Sequence, residues 1–223
     1  MPSHRLPAEL FKYSRQAHAD ALVLAGQIRV GTLFDYQDTE KHAAGVGDED
    51  EGQTELFDAP AFATGATLSP FAARYVRGVT GPGRDTIRFI GCEFRERRRS
   101  PNAWLYCLSE RLSGRVMESF EANYDAAVRF RAVWASFAAI GQALARQRPI
   151  AVGYIVRVTY RPRSLDFRAD DRLEPIAVKA PRYALQQEFR FVYFPAAPIT
   201  ESHLDLTVPA LTACCEPARD IPD

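Results

Sequence analysis

The chain has 223 residues, 47% hydrophobic and 25% charged, and its 28 basic and 28 acidic side chains give a formal net charge of zero. That length suits one substantial core and is short for two. The composition excludes a disordered chain, which needs fewer apolar residues and a larger net charge. The zero net charge supplies no whole-chain attraction to nucleic acid or an acidic membrane, though local patches leave nucleic acid open as a partner.

Leu10 to Tyr13 (LFKY) reads as a short strand. Arg15 to Ala25 follows with helical spacing, with Ser14 as the expected N-cap and Gly26 as the residue that ends it in the left-handed conformation. Gln27 to Leu33 is a second short strand, and the polar, acidic stretch from Phe34 to Gly52 is a long loop. Long loops in compact domains often serve as lids or binding loops. Ala59 to Gly83 is rich in small residues, prolines and glycines and reads as irregular.

Strand signals return at Thr86 to Phe94 and Trp104 to Leu108, with the run EFRERRR (Glu93 to Arg99) and Pro101-Asn102 as the hairpin connection between them. Met117 to Gln147 is the main helical region. Its Phe120, Tyr124, Val128, Phe130, Val133, Trp134, Phe137, Ile140 and Leu144 recur at three and four residues and are expected in the core. Ile150 to Tyr160 is the strongest strand, rich in β-branched and aromatic residues. Ile176 to Lys179 and Glu188 to Phe194 are further strands, Leu204 to Val208 is an edge strand, and 209–223 is a polar tail. The expectation is a single α+β domain with its core over about 10–208: a mixed, mainly antiparallel β core of split sheets with a central helical region.

The apolar stretch near Val133 to Leu144 is too short and too interrupted for a membrane span, and the first residues have no signal-peptide core. Cys92, Cys107, Cys214 and Cys215 form no CxxC, so free thiols and a cytoplasmic setting are expected. No phosphate loop, GxGxxG or GxSxG is present, and His4, His18, His42 and His203 have no metal-ligand spacing. No metal is expected. The carboxylates of the 34–52 loop match no calcium loop, and both DEDE (Asp48 to Glu51) and EFRERRR read as solvated segments.

Three segments remain, each placing a polar residue at a strand end: Leu10 to Arg15, Leu105 to Glu110, and Gln186 to Phe191. In extended chain Gln186 and Glu188 would point to the same side, so an amide and a carboxylate would share one face. This order resembles the ADP-ribosyltransferase superfamily. It has a basic first strand, a helix ending near glycine, a serine on a middle strand and a late Glu preceded two residues earlier by Gln or Glu. The chain also looks like an uncharacterised bacterial family with KY, CxS and QxE-R strand motifs.

The resemblance implies an ADP-ribosyltransferase-like fold with NAD as substrate. It carries Glu188 onto the catalytic glutamate, Ser109 onto the serine that orients it, and Gln186 onto the acceptor side. Lys12 or Arg15 falls at the pyrophosphate, and Tyr13 or Tyr183 would stack on nicotinamide. The implied activity is cleavage of the nicotinamide–ribose bond, with transfer of ADP-ribose to an unknown acceptor or to water, as in a bacterial toxin or phage-defence effector. A carboxylate near the reacting carbon would favour a transition state in which positive charge builds on the ribose. Replacing Glu188 with Gln is expected to abolish turnover with the fold intact, and Gln186→Ala to reduce transfer more than hydrolysis. The plain reading of Glu188 is a surface strand residue paired with Arg190 or Arg182. Two other functions compete: a non-catalytic binding module of the same fold, and a metal-assisted hydrolase or nuclease built on the acidic loop.

Overall fold

A computed structural model of the chain describes residues 6–42, 45–76, 87–120, 122–168 and 173–223. His4, Thr86 and the 77–83 part of the irregular stretch lie outside them. The strands are β1 (Leu10–Ser14), β2 (Gln27–Thr32), β3 (Gln53–Asp58), β4 (Phe62–Thr64), β5 (Arg88–Ile90), β6 (Phe94–Arg99), β7 (Trp104–Ser109) and β8 (Ala126–Phe130). They continue as β9 (Ile150–Arg157), β10 (Thr159–Tyr160), β11 (Ser164–Asp166), β12 (Val178–Lys179), β13 (Glu188–Pro195), β14 (His203–Thr207) and β15 (Cys215–Pro217). The helices are α1 (Gln16–Ala25), α2 (Leu33–Tyr36), α3 (Pro70–Val76), α4 (Gly114–Glu118) and α5 (Val133–Gln147). The protein is therefore mixed α+β, with a mostly antiparallel sheet. Among the described residues no helix is long and apolar enough to cross a membrane, and all four cysteines are free.

Eight strands form the main sheet, and β7 is its branch point. One edge of β7 pairs along its length with β13, from Glu188 opposite Ser109 to Tyr193 opposite Trp104, and β13 pairs in turn with β9. The other edge is divided. Trp104 and Leu105 pair with Thr32 and Gly31 of β2, whereas Ser109 pairs with Phe11 of β1. β14 extends the sheet beyond β2, and β8 and then β15 extend it beyond β1. All these pairings are antiparallel; the parallel ones, β10 with β12 and β11 with β3, lie in two smaller sheets.

Strand alternation sorts the side chains. Tyr106, Leu108, Phe189, Phe191 and Tyr193 enter the main core with Leu22 of α1 and the inner face of α5. On α5 the buried residues Val133, Phe137, Ile140 and Leu144 fall at helical spacing. Phe137 stacks on Tyr193 with centroids 4.9 Å apart, and the Tyr193 hydroxyl donates to the Phe137 carbonyl (2.7 Å).

Several sequence expectations are corrected. Met117 to Gln147 is not one helical region, because Ala126–Phe130 is a strand pairing with all of β1. Ala126, Val128 and Phe130 satisfy a two-residue period and a four-residue period equally, and the waiting edge of β1 decides between them. Trp134 is 63% exposed, so it stands outside the core. The EFRERRR run is neither loop nor hairpin connection: its Phe94–Arg99 part pairs with β3, where Glu55 takes both Arg95 and Arg97. The 34–52 loop begins with a helical turn, α2, and the irregular stretch contains β4 and α3. The polar tail contributes β15, whose Cys215 is buried against β8. At the start of α1, Ser14 does not cap. The Gln16 N–H instead donates to the carboxylate of Asp125, 2.7 Å away.

Gly26 ends α1 as expected, with φ of +64°. A Cβ there would also stand 2.1 Å from the carbonyl oxygen of Val208. Gly26→Ala should therefore lose more than about 1 kcal/mol of stability, the excess over backbone strain coming from the clash. Chemical denaturation checks this, and an unchanged midpoint would contradict the close approach.

Candidate functional site

Between β1 and β2 one edge of β7 is left without a strand partner at its middle, and a cavity of about 630 Å³ occupies this gap. It is lined from both faces of the sheet: by His18, Ala21 and Leu22 of α1 on one, and by Tyr36, Glu51, Phe120, Tyr124, Glu188 and Arg190 on the other. Lys12 enters from the core-facing side of β1, opposite Val128. Its ammonium donates to the Cys107 carbonyl (3.0 Å) and sits 4.9 Å from the Tyr106 ring centroid. Lys12 thus satisfies a carbonyl on the exposed edge of β7.

Across the gap lies a buried charge network. Glu188 Oε1 accepts from Arg190 Nε (2.6 Å), and Oε2 accepts from Lys179 Nζ (3.0 Å). Arg190 Nη1 reaches Glu51 (2.8 Å) and the Ile176 carbonyl (2.6 Å). All four side chains are at most 7% exposed. Burial would raise the Glu188 pKa, but the Arg190 and Lys179 charges prevail and hold it well below the ordinary carboxylate value. The carboxylate is ionised and fixed. Burial, with Glu188 adding to it, outweighs the opposing charges of Arg190, Lys12 and Lys179 at Cys107 and pushes the thiol up to about 12. Cys107 is therefore a protonated wall at neutral pH, not a nucleophile.

The segment from Gly45 to Gly52 closes over the cavity and is held at four points. Gln186 Nε2 donates to the Gly45 carbonyl (2.6 Å), and Tyr183 donates to that of Gly47 (3.0 Å). Arg163 grips both oxygens of buried Asp48, and Arg190 holds Glu51. Gly45 lies so close to α4's end that a Cβ would stand 2.2 Å from the Ser119 carbonyl oxygen. Half of the DEDE run, Asp48 and Glu51, is thus buried and structural, where a solvated run was expected.

Lys12, Tyr13, Ser109 and Glu188 all line the cavity. Ser109 faces Glu188 directly across the β7–β13 ladder, but its hydroxyl donates to the Gln186 carbonyl (2.7 Å) and accepts from the Arg111 N–H (3.2 Å). Tyr13 donates to the Arg111 carbonyl (2.7 Å) and accepts from the Ser113 N–H (2.8 Å). Gln186 is not on an extended strand with Glu188. It ends a 3₁₀ turn, and Gln187 follows at φ +42°. Both ends of its amide are engaged, with Gly45 and with Lys179 (2.9 Å). Tyr183 is buried under Lys179 and Arg182, whose cationic groups lie 4.6 and 4.9 Å from its ring centroid. Arg15 is exposed and lines a second pocket of about 380 Å³ with His18, Lys41, His42 and Tyr124, three of which also line the first.

Glu188 does pair with Arg190, as the plain reading expects, but in the interior and not at the surface. Sequence reasoning missed Lys179, Arg190 as a site residue, Glu51 and Tyr36. The signal for Lys179 is compositional, since the chain has only three lysines. Glu51 and Tyr36 carry no local signal. Among the described residues no group of three or more His, Cys, Asp or Glu side chains could hold a metal ion. Four of the seven loop carboxylates are committed to Asp35–His42, Asp38–Lys41, Asp48–Arg163 and Glu51–Arg190 pairs. No family model, curated protein or solved structure matches the chain. The site stands on its geometry: a gap in a sheet, closed by a pinned loop and floored by an ionised carboxylate.

Arg190→Met should cost about 3–5 kcal/mol, because it leaves Glu188 and Glu51 buried with one cation between them. Denaturation of this variant beside wild type measures the loss. The pH dependence has a definite sign. The folded Glu188 pKa lies below its ordinary 4.5, so its contribution is complete above that value and is lost as pH falls through the folded pKa. The stability gap between wild type and Glu188→Gln should stay constant from neutral pH to about 4.5 and shrink only below it. A gap that closes already between pH 7 and 5 would contradict the assignment.

Proposed function

We propose that the cavity takes a nicotinamide dinucleotide and that the chain is an ADP-ribosyltransferase-like or NAD glycohydrolase enzyme acting on the nicotinamide–ribose bond. The observation that carries this reading is Glu188, held ionised and immobile on the cavity wall by Lys179 and Arg190. A carboxylate already fixed where positive charge develops needs no reorganisation during the reaction. The volume lies within the range of ligand sites. Lys12, Arg29, Lys179 and Arg190 outnumber Glu51, Glu188 and Asp205 by one, which suits phosphate. Tyr36, Phe120 and Tyr124 offer aromatic surface for a base.

Gln186 has both ends of its amide in use, so acceptor choice falls to other groups, and water is an acceptor the cavity can admit. Gln186→Ala then acts on the loop it tethers and weakens transfer and hydrolysis together. Glu188→Gln also takes an anion from between two buried cations, so its effect on turnover comes with a loss of stability. A second reading, a binding module using the same cavity, is favoured by one observation: both Glu188 oxygens already accept from cations.

The test combines thermal denaturation with NAD and chromatography of released nicotinamide. The enzymatic reading expects protection and saturable release, with Glu188→Gln lowering the rate on the order of hundredfold or more in protein that still folds and binds. Lys12→Met, which removes a cation from the cavity, should weaken NAD binding. Protection without release supports the binding module. Wild-type protein that neither gains stability with NAD nor releases nicotinamide overturns both.

A further inference from the structure

The chain contains 25 arginines but only three lysines, Lys12, Lys41 and Lys179. Arginine supplies its surface cations, as in the pairs with Glu55, Glu96 and Asp205. All three lysines nevertheless border the two adjoining cavities, Lys12 and Lys179 the inner one and Lys41 the outer. What lysine offers and arginine does not is a nitrogen that can shed its proton and present a lone pair.

Two of the three have another task. Lys179 holds Glu188 (3.0 Å) and Lys41 holds Asp38 (2.9 Å). Lys12 has no carboxylate partner: among the described residues no carboxylate oxygen lies within 4.0 Å of its Nζ, and its hydrogen bond goes to the Cys107 carbonyl. A carbonyl accepts from a neutral amine as well as from an ammonium, though more strongly from the ammonium, so this contact survives loss of the proton. The lysine stands on a core-facing strand position, between the Tyr106 ring and the cavity. Burial lowers its pKa, with Cys107 and Glu188 opposing.

We propose that Lys12 is a nucleophilic amine that forms an imine with the aldehyde of a small phosphorylated ligand. The inference goes beyond the NAD reading and does not depend on it. Once the ammonium has shed its proton to water, Nζ attacks the aldehyde carbon, a C–N bond forms, and the carbonyl π pair moves to oxygen. The nitrogen gives up a proton and the oxygen takes one, leaving a carbinolamine, and loss of water yields the imine. Amine and aldehyde become imine and water, with no oxidant or metal. For the phosphate, Arg15 at the mouth of the outer pocket is a cation with no carboxylate within 4.0 Å among the described residues.

The full chain is incubated at neutral pH with pyridoxal 5′-phosphate, reduced with borohydride and digested, and the label on each lysine is followed by mass spectrometry. Lys12 should label on the order of tenfold faster than Lys41, which is 60% exposed and paired with Asp38, because its environment disfavours the ammonium. Inorganic phosphate should slow Lys12 selectively, and Lys12→Arg should remove the fast phase. Lys41 labelling as fast as Lys12, or Lys12 left unlabelled where Lys41 reacts, overturns the proposal. The comparison is made within wild-type protein, so it survives a poorly folding variant. A chain that labels at Lys12 but never releases nicotinamide from NAD sinks the NAD reading alone.

Discussion

The carboxylate of Glu188 is the interaction on which the rest of the site depends. It ties β13 to β12 through Lys179, and Arg190 extends the tie to Glu51 in the loop that closes the cavity. Each buried ion costs several kcal/mol of lost hydration, so such a network is tolerable only when every member has its partners. Well-packed apolar residues on this ladder face would serve stability at least as well. Val192, next in the alternation after Glu188 and Arg190, is such a residue. The charges begin where the strand reaches the cavity, which sets their purpose apart from packing.

The cavity itself follows from the way β7 is shared. A central strand normally gives one edge to each neighbour, but here β2 and β1 take opposite ends of one edge. The helix that joins them, α1, packs into the main core through Ala19 and Leu22. Backbone polar groups in the interior require partners. At Cys107 the partner is a side chain, Lys12, and not a neighbouring strand. One lysine thereby completes the sheet and faces the space the sheet leaves open.

The sequence made most of this skeleton legible. Leu10–Ser14, Trp104–Ser109, Ile150–Arg157 and Glu188–Pro195 are strands where β-branched and aromatic residues cluster, and Gly26 ends α1. What misled was chemistry with two solutions. Ala126–Phe130 fits both periods, and its partner strand, more than 100 residues earlier, is invisible locally. The arginine run reads as a solvated loop until Glu55 stands opposite it. In the site, Lys12, Ser109 and Glu188 were readable as strand-end polar residues that converge. Glu51 was not, since nothing within DEDE separates the two buried carboxylates from the two exposed ones. Burial there is decided by Arg163 and Arg190, 115 and 139 residues away.

The order of charges also gives the cavity a direction. The inner and outer pockets share His18, His42, Val46 and Tyr124, so they join between α1 and the pinned loop. Arg15 and Lys41 border the outer pocket, and Lys12 and Glu188 border the inner one. An anionic group would be held toward the mouth, where the cations are exposed and exchange is easy. An electron-poor group would be favoured beside Glu188, the carboxylate held ionised between Lys179 and Arg190. A ligand built the other way round would place its anion against Glu188, whose charge Lys179 and Arg190 offset but do not remove. The network that fixes the loop thus also sets which end of a polar ligand the cavity can accept.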